Sequence, residues 1–445
     1  MLKSYFKLAL KVLSRKKFFT FISLFGISFT LMILMLVTAF LDNELGSHAP
    51  LTGNDRMVFI ERAKGEFIEP DTTAIVDSIM VGGQMKYDTL YEYGEHSSAT
   101  TRGNISFPFI DKNLRDLPGA ERQAIFLEDV TFNEFRNNKK FAVNGMATNA
   151  EYWQVFDFEF IAGRPYGETD VRNGTLAAVL TDKSARFFFG TTQGVVGQDL
   201  EMNKRIYEVV GLVKMPDTNN DAIAADMFFP YTNLPPFALG EPDAVFGRFS
   251  TVILAESAGA KDLIIKEVNR IAADNSLDTQ DRFNRLTLEP VTFFETYAHS
   301  LLRRETQAES KQYFLTALIL LLSLFVLLPT LNLININVSR ILERASEIGV
   351  RKSFGADTRT ILFQFVFENV ILTLIGGIIG FLLALGLIYL INTSDWLNGI
   401  QLNFNPSVAF WSFVICLFFG VISGFIPAYK TAKMQIVSAL KSNAK

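Results

Sequence analysis

Residues 18–41, 312–339, 361–391 and 407–429 are each apolar over a length that, as helix, spans about 30 Å of hydrocarbon. Only the third of these stretches holds a charge, Glu368. A chain with four such stretches folds as membrane helices, and every segment between them belongs to one side of the bilayer or the other. The hydrophobic share of 49% is concentrated in these stretches rather than spread along the 445 residues.

Basic residues favour the cytoplasmic side, so the flanks set the orientation. Lys3, Lys7, Lys11, Arg15, Lys16 and Lys17 precede the first stretch without an acid among them. Arg340, Arg344, Arg351, Lys352 and Arg359 follow the second, and Lys430, Lys433, Lys441 and Lys445 follow the fourth. Between residues 43 and 311, by contrast, 27 Lys and Arg stand beside 40 Asp and Glu. The small net charge of −4 therefore hides two oppositely charged parts. The pattern predicts a cytoplasmic N-terminal segment (1–17), a first span (18–41), a large acidic extracytoplasmic domain (42–311) and a second span (312–339). A cytoplasmic turn (340–360), a third span (361–391), a fourth (407–429) and a cytoplasmic tail (430–445) complete it. The expected fold class is thus an α-helical membrane protein with four transmembrane helices and an extracytoplasmic α+β domain inserted between helices 1 and 2. The first apolar core, 18–41, is longer than a cleaved signal needs and reads as an uncleaved anchor.

Within the outer domain, "RFSTVILAE" and "RLTLEPVTF" read as strands, and "GAKDLIIKEVNRIAADN" reads as a helix with Leu263, Ile264, Val268 and Ile271 on one apolar stripe. Short strands set off by Gly and Asn turns mark about 131–227 as a β-rich insertion, and its aromatics Tyr152, Trp153, Phe156 and Phe158 are expected in the core. "HSLLRRETQAESKQYF" is helix-compatible and would extend the second span upward as a stalk.

Chemistry-bearing patterns are missing from the sequence. Neither G-x-S-x-G nor G-x-x-x-x-G-K-S/T occurs, so neither a nucleophile elbow nor a phosphate loop is encoded in these residues. His48, His96 and His299 stand apart from the single Cys416 and from spaced carboxylates, which leaves no metal-site signature. No catalytic role, no cofactor in this chain and no nucleic-acid partner are expected; membrane lipids are.

The segment "ERASEIGVRKSFGAD" stands apart because it is dense in charge directly after an uncharged run. Ile341, Ala345 and Ile348 recur at helical spacing as a narrow apolar stripe, and Glu347 lies four residues before Arg351 in the favourable order for a helix pair. Gly355 suits a left-handed helix end, and Asp357 is placed to cap the next helix. An orienting loop needs only a few basic residues, so acids, a stripe and a turn glycine together point to a short cytoplasmic helix that docks a protein. In the spans, Gly376 with Gly380 and Gly420 with Gly424 form small-xxx-small pairs suited to close helix packing, and Glu368 is assigned to packing or the interface. Asn332, Asn335 and Asn337 crowd the end of the second span, where backbone and interfacial hydrogen bonds can satisfy them.

These residues resemble the cytoplasmic signature of MacB/FtsX-type ABC transporter permeases, an E-R-x-x-E-I-G-x-R-K-x-x-G-A core followed by Q-F-x-x-E. Glu343, Arg344, Glu347, Ile348, Gly349, Arg351, Lys352, Gly355 and Ala356, then Gln364, Phe365 and Glu368, stand at those places. Ser353 and Phe354 depart from the small and aliphatic residues usual there. "NAEYWQVFDFEFIAGRPY" and "GVVGQDLEMNKRIYEVVGLV" resemble a MacB-type periplasmic core domain, and "GFIPAYKTAKMQIVSAL" resembles the family's C-terminal exit. The stretch 43–115 carries the least resemblance. The resemblance implies that Glu343 to Ala356 form a coupling helix resting on a separate ABC ATPase subunit, where ATP and Mg are bound. It implies a second permease chain, as homodimer or heterodimer with a paralogue, and allows a periplasmic adaptor and an outer-membrane channel. It places the chain in the bacterial inner membrane, where it would export or release a substrate by mechanotransmission. An FtsX-like regulator of cell-wall hydrolases, a lipoprotein-releasing permease and a receptor-like scaffold are the alternative readings, and the size of the outer domain favours the exporter.

Overall fold

The computed structural model describes residues 17–81, 84–136, 139–215, 220–275, 283–304, 306–343, 350, 353–354, 357–394, 402 and 404–432. The chain divides into two compact units, Met1–Gly46 with Gln312–Lys445, and Ser47–Lys311.

In the outer unit the strands are β1 Met57–Val81, β2 Gln84–Ile105, β3 Ala120–Arg136, β4 Lys139–Thr148, β5 Phe160–Gly163 and β6 Ala177–Thr181. They continue as β7 Asp199–Met202, β8 Arg205–Val213, β9 Met227–Pro230, β10 Phe246–Gly247, β11 Ser250–Ala255 and β12 Arg285–Thr292. They form one sheet in the order β10-β2-β1-β11-β3-β4-β9-β6-β8-β5, with β12 on β1 and β7 on β8. Strands β6 and β11 are buried along their whole length, as expected of apolar runs at the centre of a sheet. Residue 131, where the sequence suggests that an insertion begins, lies inside β3, because that strand pairs with β11 before it and with β4 along it. The supposed insertion is therefore continuous with the rest of the sheet.

The helices, in chain order, are α1 Lys17–Leu45, α2 Phe107–Asn113, α3 Tyr152–Val155, α4 Glu168–Arg172, α5 Asp182–Phe189, α6 Lys261–Asn275, α7 Phe293–Leu302, α8 Gln307–Glu343, α9 Thr358–Thr393 and α10 Pro406–Ala432. Helix α6 buries Ile264, Val268, Ile271 and Ala272, whereas Leu263 is 56% exposed. One residue is a turn of about 100°, which carries Leu263 off the stripe and corrects the pattern read from sequence. Tyr152, Phe156 and Phe158 are buried, and Tyr152 satisfies its hydroxyl by donating to the Ala222 carbonyl at 2.9 Å. Trp153 packs edge-on against Phe158, Phe160, Tyr166 and Phe228, at centroid distances of 5.4 to 5.5 Å.

Two features of this unit have no counterpart in the sequence reading. Beyond Glu66, the last residue that pairs with β12, β1 and β2 pair only with each other among the described residues, from Ile68 opposite Ser97 to Val81 opposite Gln84. At about 3.4 Å per residue this two-stranded ribbon is roughly 45 Å long. The other feature is a pair of bulges, at residues 61–62 of β1 and 128–129 of β3, the second marked by a left-handed Asp129 (φ 58°). At the first bulge, one edge of β1 exchanges β11 for β2.

In the other unit α1, α8, α9 and α10 are long and apolar enough to cross a membrane. Each helix outruns the apolar stretch that announced it, α8 by reaching back to Gln307 and on to Glu343. The proposed continuous stalk from His299 to Phe314 is not one helix. Arg303 (φ 46°) closes α7 in the left-handed region, its N–H donating to the His299 carbonyl at 2.8 Å, and α8 starts afresh.

Candidate functional site

The charged segment predicted to dock a partner joins α8 to α9. Glu343 is the last residue of α8, and Arg344, Glu347, Ile348, Gly349, Arg351, Lys352, Gly355 and Ala356 lie outside the described residues. Its described remainder is informative. The Phe354 N–H donates to the Val350 carbonyl at 3.2 Å and Ser353 Oγ donates to it at 2.7 Å, which makes a helical turn. On that turn Phe354 is 87% exposed and Val350 47%. An aromatic ring held out from a charged turn suits an anchor for a partner's pocket rather than internal packing. Asp357 occupies the N-cap of α9, but its side chain makes no capping bond; its carbonyl accepts from Thr360 instead.

Helices α1, α9 and α10 pack through small residues. A β-carbon at Gly376 would lie 2.7 Å from Ile27 Cγ2, and one at Gly380 would lie 2.6 Å from the Ser28 carbonyl oxygen. Gly420 and Gly424 face α9, the first against Thr373 and the second against the Asn369 amide. Gly377, not singled out in the sequence, faces Phe413 of α10 in the same way. Ser28 Oγ donates to the Gly376 carbonyl at 2.8 Å, and Asn405 Nδ2 on the approach to α10 donates to the Asp42 carboxylate at 3.2 Å. Lipid tails are as apolar as Leu, so close backbone approach and interhelical hydrogen bonds are what hold such helices together.

Glu368 is 2% exposed, and Gln364 Nε2 donates to its Oε1 at 3.4 Å. At the very next residue of α9, Asn337 of α8, also 2% exposed, donates to Asn369 Oδ1 at 2.9 Å, and it donates to the Ser423 carbonyl at 3.2 Å. Of the three asparagines crowded at the end of this span, Asn337 is thus satisfied by other helices, not by the interface, while Asn335 is exposed.

Helix α8 is held differently along its length. At its start Lys311 Nζ donates to Glu295 Oε1 at 2.9 Å, and His299 Nδ1 lies 3.1 Å from Ser310 Oγ. Burial works against the ionised Glu295, yet the Thr292 N–H and Oγ1–H, together with Lys311, hold its carboxyl below the usual range. From 312 to 325 no residue of α8 is buried; Val326, Thr330, Leu333, Ile336 and Asn337 then form a buried stripe.

The outer unit's two bulges bring acids together. Burial pushes the Glu61 carboxyl up to about 7, opposed by Arg62 and reinforced by Asp221. Burial, then Glu61, Asp221 and Asp129, push Glu128 up to about 7 as well, with Arg62 again opposing. No group of three or more His, Cys, Asp or Glu side chains among the described residues could hold a metal ion.

Comparison with known proteins accounts for both units. Residues 20–271 match the model of the MacB-like periplasmic core domain, and residues 319–436 match that of the FtsX-like permease C-terminal region. The chain is 27% identical over 307 residues to YknZ of Bacillus subtilis (strain 168), an uncharacterized ABC transporter permease, covering 67% of this chain and 69% of that protein. It is 26% identical over 311 residues to the macrolide export ATP-binding/permease protein MacB of Acinetobacter baylyi, covering 68% of this chain and 43% of MacB. A pyoverdine export ATP-binding/permease protein, PvdT of Pseudomonas entomophila, is 25% identical over 311 residues, covering 69% and 44%. The chain thus spans less than half the length of the MacB and PvdT relatives. Among solved structures, the extracellular domain of YknZ aligns with a TM-score of 0.31 at 18% identity, covering 39% of this chain and 84% of that one. A domain of a permease protein from Porphyromonas gingivalis aligns with 0.36 at 16%, covering 54% and 91%.

Proposed function

The chain belongs to the family of ABC transporter permeases that join a MacB-like periplasmic core domain to an FtsX-like permease region, and from that premise we propose that it converts ATP hydrolysis in a partner ATPase into movement of its outer domain. The movement exports or releases a substrate from the periplasm or the outer leaflet of the inner membrane. The observation that carries this reading is α8: a single helix from Gln307, whose first turn is tied to α7 by Lys311 and Ser310, to Glu343, where the charged segment begins.

The division of labour follows from the residues. No phosphate loop occurs in these 445 residues, so nucleotide and its Mg ion are bound by the partner. The charged segment with Glu343, Glu347 and Arg351 meets that partner, and Phe354 supplies an apolar anchor. The spans offer few ionisable groups at membrane depth, which suits transmission of force better than conduction of a polar solute. Two copies of the chain, or this chain and a paralogue, would assemble with two ATPases, with both termini in the cytoplasm.

Purification of the chain with the products of neighbouring genes tests the reading, followed by reconstitution and disulfide trapping between cysteines placed on the outer domains of two copies. An ATPase that co-elutes, and trapping yields that change at least threefold on adding ATP, are expected. Trapping that is equal with and without ATP, or a complex without any nucleotide-hydrolysing subunit, would overturn it.

A further inference from the structure

Asn337 is a primary amide sealed inside an apolar bundle, and it uses both of its N–H groups on other helices, one on Asn369 Oδ1 of α9 and one on the Ser423 carbonyl of α10. The receiving side is built to match. Asn369 is oriented by its own Nδ2, which donates to the Phe365 carbonyl at 3.0 Å, and Gly424 leaves the room that the Asn369 amide occupies. Ser423 sits four residues before Pro427, which has no N–H to offer, so the Ser423 carbonyl is left to the α8 donor, while its hydroxyl donates to the Gly420 carbonyl at 2.8 Å.

Thr316 and Thr330 of α8 return their hydroxyls to their own helix, at 2.8 and 2.6 Å. The remaining buried residues of the stripe, Val326, Leu333 and Ile336, are apolar and exchange one hydrocarbon surrounding for another. Such contacts let a helix slide and turn. A two-pronged hydrogen bond does not, because an unpaired amide in hydrocarbon is strongly disfavoured.

We propose that Asn337 is a positioning residue, an interhelical latch that fixes the rotation and depth of α8 against α9 and α10 and so makes α8 and the charged segment after it move as one. The second half of this inference rests on the permease reading above; the first half concerns helix contact alone and is tested without nucleotide.

The test uses the full chain with its ATPase in lipid nanodiscs, on a Cys416→Ala background, with spin labels at Val338 of α8 and Phe425 of α10, both exposed positions. Asn337→Leu keeps the volume and removes the donors. It is expected to at least double the width of the label distance distribution. The ATPase rate should stay within twofold of the parent, while the ATP-driven change at the outer domain falls at least threefold. Asn369→Leu, which attacks the latch from the acceptor side, should behave alike, and the double variant should be no worse than either single one. If Asn337→Leu does not assemble, Asn369→Leu alone decides. An unchanged label distribution overturns the latch. A broadened distribution with outer-domain movement intact overturns its role in coupling. A parent complex without ATP-driven movement counts against the permease reading, and the widths then judge the latch by themselves.

Discussion

The Ser28 hydroxyl donates to the Gly376 carbonyl at 2.8 Å, and one turn on, Gly380 brings the backbone of α9 against the Ser28 carbonyl itself. A helix crossing this close tolerates no added carbon. Gly380→Ala should destabilise the membrane unit by about 1–3 kcal/mol, the usual cost of overpacking. Gly386→Ala, where nothing lies within 4 Å, should instead be neutral or stabilising by up to about 1 kcal/mol through helix propensity. Thermal unfolding in one detergent distinguishes the two variants.

Glu61 and Glu128 make the outer domain sensitive to pH in a defined direction. Both carboxyls stand near 7 in the folded protein, above the ordinary 4.5. Between these values the folded state binds more protons than the unfolded one, so stability is greatest in mild acid and falls as pH rises from about 5 to about 8. Glu61→Gln and Glu128→Gln should each flatten that slope and raise the melting temperature at pH 8, as followed by fluorescence melts across a pH series.

Glu295 does two jobs, and its loss should cost more than the loss of its partner. It accepts from the Thr292 N–H at 2.8 Å and Oγ1–H at 2.9 Å in a capping box, and it also pairs with Lys311. Lys311→Ala removes only a partly exposed ion pair and should cost less than about 1 kcal/mol. Glu295→Ala should cost about 1–2 kcal/mol because the cap goes as well. Denaturant titration of the two variants ranks them.

Phe354, exposed on its turn, should matter to assembly and not to folding. Phe354→Ala is expected to weaken capture of the partner ATPase by about tenfold or more, in the range of an aromatic anchor, while the chain alone melts as before. Binding measured by biolayer interferometry beside a thermal melt checks both halves.

Much of this architecture is legible before any coordinates. Four long apolar runs can become little other than membrane helices, and the segregation of charge marks off a large outer domain. The β1–β2 ribbon is not legible, because its composition mixes Thr, Asp and Glu with Ile, Met and Tyr without a clean alternation to mark two strands, although they are joined by only two residues. The two glycine pairs can be read as small surfaces, yet only the coordinates say that one meets α1 and the other α9. Leu263 and Ile264 are chemically alike neighbours, and it is the angle of α6 on the sheet that buries one and not the other. Phe354 shows in sequence only as a departure from the small and aliphatic residues usual there, and its standing in the open is seen in the coordinates alone. Asn337 is one of three similar asparagines, and the two acceptors that single it out come from elements reached 32 and 86 residues later.

A length of helix that buries nothing is judged by phase, not by chemistry. In α8 the stretch from 312 to 325 buries no side chain, and its length sets the azimuth at which the buried stripe from Val326 to Asn337 emerges. One residue inserted there would swing everything downstream by about 100° and lift it by about 1.5 Å, whereas seven would return it to within about 20° of the original azimuth. The middle of this helix is thus a spacer whose length is quantised even where its side chains are interchangeable.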